Sequence, residues 1–86
     1  MDKVYLVIID DVRDFELTSK FKVFKNSDDA KKYFDNVVAE FKRGTRVNSD
    51  RSVIEGDESK GMFTWYEDGF YNENHYDVLL VEKEVY

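Results

Sequence analysis

The sequence predicts an α+β domain of ββαββ order, a four-stranded antiparallel sheet (order 2-1-4-3) with one helix packed on one face. Three observations predict it. Two apolar runs, residues 4–9 and 78–81, are too short for buried helices, and with Val4, Val7, Ile8, Ile9, Val78 and Val81 they are rich in β-branched side chains. Between them, residues 26–44 carry a one-sided apolar stripe with helix start and stop signals. A chain of 86 residues has room for one hydrophobic core, burying roughly 60–65% of the unfolded surface, so residues 1–86 are read as one small domain.

Residues 4–9 are apolar on both faces and end at Asp10-Asp11, as a strand in the middle of a sheet would. Residues 15–23 alternate instead, Phe15, Leu17, Phe21 and Val23 against Glu16, Thr18, Lys20 and Lys22, which reads as an outer strand with one wet face. Residues 10–14 between them read as a hairpin loop. Asn26 or Ser27 then caps a helix whose first turn holds Asp28 and Asp29, where the macrodipole favours negative charge. Its stripe is Ala30, Tyr33, Phe34, Val37, Val38 and Phe41; Lys42 and Arg43 complement its end, and Gly44 reads as a left-handed stop.

From 44 to 60 the pattern dissolves into small and polar residues, which reads as a long loop, mobile or holding a short extra strand at Ser52–Glu55. Residues 62–66 alternate and run into Glu67-Asp68-Gly69, a strand followed by turn chemistry. Residues 76–85 form the fourth strand, apolar on both faces and therefore also central. One helix covers one face only. The second apolar face then needs the 44–60 segment, a second copy of the chain or another partner, which makes a homodimer through the open sheet face an expectation.

Charge is the most informative part of the composition. Residues 1–60 hold 13 acids and 12 bases, a net of −1, whereas residues 61–86 hold 6 acids and the single base Lys83, a net of −5. The same last stretch holds 7 of the 14 aromatics. A field of that sign attracts basic partners and repels phosphate, so direct nucleic-acid binding is not expected. Lys31, Lys32, Lys42, Arg43, Arg46 and Arg51 cluster, but helix lysines are ordinarily a solvated face.

The absence of Cys excludes disulfides, thiolate metal sites and a Cys nucleophile. Met1-Asp2-Lys3 begins no signal-peptide pattern, and the 4–9 run is far short of the roughly 18 residues of a membrane span, so a reducing cytoplasm, with no membrane partner, is the expected setting. The four glycines form no phosphate-cradling run, and no cofactor is expected. His75 is the only histidine; with Glu73 and Asp77 it has the period-two spacing of a cation site, but a sole histidine entering an aromatic strand is ordinarily packed or hydrogen-bonded, and no metal is expected. Asp10, Asp11 and Asp14 are explained by turn chemistry, lacking the glycine and closing glutamate of a calcium loop. No nucleophile, base and orienting group assemble from named residues, so an enzyme is not expected.

What remains is the segment carrying Trp65, Tyr66, Glu67, Asp68, Phe70, Tyr71 and Glu73. Trp and Tyr dominate interface energetics, and acids beside them pair with a partner's Arg or Lys. The competing reading makes Trp65 and Phe70 core and the acids a solubilising fringe. The leading expectation is a small non-catalytic interaction module of the bacterial or phage type that binds a basic protein surface. Its sharper form is an inhibitor mimicking nucleic acid, as small acidic phage counter-defence proteins do. The alternative is a structural homodimer or a subunit of an assembly.

Overall fold

The structure, a computed structural model, describes residues 2–13, 16–44, 52–67 and 74–85. The chain forms β1 (Asp2–Arg13), β2 (Glu16–Phe24), α1 (Ser27–Arg43), β3 (Ser52–Glu55), a 3₁₀ turn (Glu58–Lys60), β4 (Met62–Glu67) and β5 (His75–Val85). All pairings are antiparallel and the sheet order is β2-β1-β5-β4-β3. The expected order of four strands is preserved, and a fifth is added. The Ser52–Glu55 strand pairs with Glu67–Thr64 of β4 and becomes the outer edge.

The two double-faced runs do lie side by side, β1 against β5 from Asp2↔Val85 to Val12↔His75. Residues 10–13, expected as loop, are strand, because Asp10 to Arg13 continue the ladder opposite Ser19 to Glu16 and their side chains alternate between the two faces like the apolar ones before them. The helix is capped as its sequence dictates: the Asn26 Oδ1 accepts from the backbone N–H groups of Asp28 (2.7 Å) and Asp29 (3.4 Å). Its end differs. Gly44 is extended at φ −77°, not left-handed, and its N–H closes the last turn on the Phe41 carbonyl. Left-handed glycine is used instead at Gly61 (φ 77°), where a Cβ would stand 2.6 Å from the Leu80 Cβ while the Gly61 carbonyl accepts from the Leu80 N–H.

Val7, Ala30, Phe34, Val38, Phe63, Trp65 and Val78 form the fully buried core, with Tyr5, Ile9, Phe24, Phe41, Tyr76 and Leu80 packed around it. The helix stripe is the expected one. Phe41 organises the aromatic end, stacked on Tyr76 at 4.1 Å and edge-on to Trp65 at 5.4 Å and Phe63 at 5.8 Å. At the other end Phe24 packs against Tyr33 at 5.3 Å. The 3₁₀ turn is tied to the helix side by Lys31, which donates to the Glu58 carbonyl (2.8 Å), and by the Lys42–Glu58 ion pair (2.8 Å). The described part of the 44–60 segment therefore lies at the sheet edge and on the helix side.

Candidate functional site

The core fixes which way every strand side chain points. Since Val7, Val78, Phe63 and Trp65 are buried under α1, the residues between them on β1, β5 and β4 point to the opposite face. The register then lays these outward residues in rows across the strands. One row is Val23–Leu6–Val81, and the next is Phe21–Ile8–Leu79–Met62. A polar row follows, Ser19–Asp10–Asp77–Thr64, and then Leu17–Val12–His75–Tyr66. At the near end Val4 stands opposite Lys83.

Two adjacent apolar rows thus cross three and four strands, and no described residue covers them. Phe21 is 69% exposed, Leu17 64% and Val23 51%, with Met62, Leu79 and Val85 also exposed. Strand β2 is the expected outer strand, and the structure decides which side its apolar set joins. Its apolar set points away from the core and Lys20 and Lys22 point to the helix side, because Phe24 must enter the core beside Tyr33 and the period of two carries the rest of the strand with it. Lys22 lies over both rings, its ammonium 4.9 Å from the Tyr33 centroid and 5.5 Å from that of Phe24.

The residues singled out from sequence are divided by the sheet. Trp65 is fully buried against Phe41, so its ring is core and not available to a partner. Tyr66 points to the open face, its hydroxyl donating to the Glu55 carboxylate at 3.1 Å. Glu67 closes β4 against Asn74, accepting from its side-chain amide (3.3 Å) and donating its own N–H to the Asn74 carbonyl (3.4 Å). Asp68, Phe70, Tyr71 and Glu73 lie outside the described residues. Adjacent side chains of a strand cannot share a face, and this separates Trp65 from Tyr66.

Compared with known protein families, curated proteins and solved structures, the chain matches none. The face itself must carry the argument. Its polar row holds two carboxylates, Asp10 and Asp77, in directly opposite positions. Each has one neutral or basic neighbour: Ser19 donates to Asp10 at 2.6 Å, and His75 Nε2 lies 3.2 Å from Asp77. Like charges opposite one another disfavour strand pairing, so the row has capacity for a cation from outside. Among the described residues no group of three metal-ligating side chains forms. Glu73, the third member of the trio read from sequence, lies outside them.

On the helix side a groove of about 690 Å³ runs between the far half of the β1–β2 hairpin and the end of α1, floored by Ile9, Val37, Phe41 and Tyr76. Its rim mixes signs, with Asp11 and Arg13 paired at 3.2 Å. Of the basic cluster, Lys31 pairs with Asp35 (2.7 Å) and Lys42 with Glu58, while Arg46 and Arg51 lie outside the described residues. Lys3 is held above the usual lysine range by the hydrogen bond and charge of Glu82 at 3.1 Å. No helix among the described residues is long and apolar enough to cross a membrane.

Proposed function

We propose that the chain is a small non-catalytic protein-interaction module whose working surface is the open face of its sheet. One observation carries the reading: two apolar rows, Val23–Leu6–Val81 and Phe21–Ile8–Leu79–Met62, lie on the side away from α1 with no described residue packed over them, Phe21, Val23, Leu79 and Met62 exposed and Leu6, Ile8 and Val81 half-buried. Monomeric proteins rarely leave a contiguous apolar patch of more than a few hundred Å² in water, and larger patches mark association sites. The face also suits protein better than phosphate or a small polar molecule, since apolar rows gain by exclusion of water and the Asp10–Asp77 row repels anions, with Lys83 the one basic group at the Val4 end of the described face. The net −5 of residues 61–86 favours a second reading, in which that stretch is offered to a basic protein as an inhibitor's contact surface.

Site-specific photo-cross-linking in the cells that make the protein separates these readings whatever the partner is. With the probe at Phe21 or Leu79, on the open face, a discrete cross-linked protein band is expected. A probe at Asn36, on the exposed side of α1, should give none. Cross-links from a probe at Glu67, with none from Phe21 and Leu79, would replace the open face by the acidic segment.

A further inference from the structure

Resting on the reading of the open face as an interaction surface, we infer that its occupant is a second copy of this chain, turned over so that the Lys83 of each copy meets the Asp77 of the other. Size comes first. From Val4 to Val12 the face is eight residue steps long, about 26 Å at ~3.3 Å per step, and it widens from two strands at Val4 to four strands, about 19 Å at ~4.8 Å per strand, from Ile8 onward. Allowing for that taper the face covers about 450 Å² per copy and about 900 Å² for a pair, the size of a weak, reversible interface.

The arrangement follows from the rows. Two identical faces packed on each other are related by a two-fold axis lying between the sheets. An axis along the polar row would lay Asp10 and Asp77 on their own copies, acid on acid. An axis running across the strands at the level of Val7 and Leu80 does the opposite. It sets Val81 on the partner's Leu79, so that apolar rows meet apolar rows about 10 Å apart, as in aligned sheet packing. The same rotation carries Lys83, three residues from the axis along β5, onto the partner's Asp77, three residues to the other side. Lys83 is exposed and makes no ion pair among the described residues, and its long stem spans the offset that sheet twist introduces. Because Asp10 stands directly opposite Asp77, one ammonium answers both carboxylates. The interface is isologous, two such contacts flanking one apolar centre.

The test is a charge exchange read by sedimentation equilibrium on the purified chain. The wild type should be a dimer. Lys83→Asp or Asp77→Lys alone should weaken it about tenfold or more, and the double variant, which restores both pairs with reversed sign, should recover affinity to within about threefold. Lys83 is exposed at the strand end, so Lys83→Asp leaves the monomer fold in place, which circular dichroism verifies. A wild type that stays monomeric at about 1 mM overturns the second copy, as does a dimer indifferent to Lys83→Asp or one that the double variant fails to rescue. Cross-links from Phe21 and Leu79 to a different protein, together with a monomeric pure chain, would leave the open face as the working surface and reject this occupant.

Discussion

Phe34→Ala should lower the unfolding free energy by about 3–5 kcal/mol, the largest effect expected of any single truncation on the helix. Phe34 is fully buried at the centre of the α1 stripe, in the one core that the described elements share. Its removal leaves a cavity that neighbours cannot fill, because α1 is held in place by Asn26 at one end and by the Phe41–Tyr76 stack at the other. Against a total of roughly 5–15 kcal/mol for a domain, that loss is about a third or more of the stability at the middle of the range. Urea denaturation followed by circular dichroism measures it. The midpoint should fall sharply while the slope is kept, and an unchanged midpoint would place the helix face wrongly.

Phe21→Asp should act on association and hardly on folding. In a single chain the ring is 69% exposed on an edge strand, so little packing is lost when it is replaced. In the proposed pair Phe21 lies on the partner's Val23, and an aspartate there would be a charge taken out of water without a counter-ion. The cost, shared by two symmetric contacts, should weaken the dimer on the order of a hundredfold. Light scattering over a dilution series should therefore show the variant as a monomer where the wild type is a dimer, with both melting cooperatively. An exposed but idle face predicts equal masses and only better solubility for the variant.

Much of the fold was legible because several signals agreed. Asn26, the two acids after it and the stripe from Ala30 to Phe41 all specify one helix, and the structure reproduces that stripe in the buried residues Ala30, Phe34 and Val38. The doubly apolar runs placed β1 beside β5, since only central strands are screened on both sides. The Ser52–Glu55 strand was the weakest signal, four residues without alternation, and it forms because β4 would otherwise end the sheet with unpaired backbone groups.

The candidate site was less legible, for a physical reason. Alternation in residues 15–23 says that one face is apolar but not which side of the sheet it joins; that parity is set by Phe24 meeting Tyr33 from an element later in the chain. Aromatic density marks the segment of Trp65 and Tyr66 in the sequence, yet the pleat sends Trp65 into the core and Tyr66 to the opposite face. The signal that finds the open face is the outward half of every strand read together: Leu6 and Ile8, Leu17 and Phe21, Leu79 and Val81. That one sheet face stays open and apolar follows already from the doubly apolar runs and the single helix, whereas the residues that line it appear only once the register is known.

An isotope-filtered nuclear Overhauser experiment on a sample mixing labelled and unlabelled chains tests the account most directly, because it reports only contacts between copies. The predicted result is a set of intermolecular contacts from the Val81 methyls of one copy to Leu79 of the other, and from Leu6 to Ile8, with none from the exposed side of α1. Intermolecular contacts confined to α1 or to the β2 edge, or no contacts at all in a concentrated sample, would contradict it.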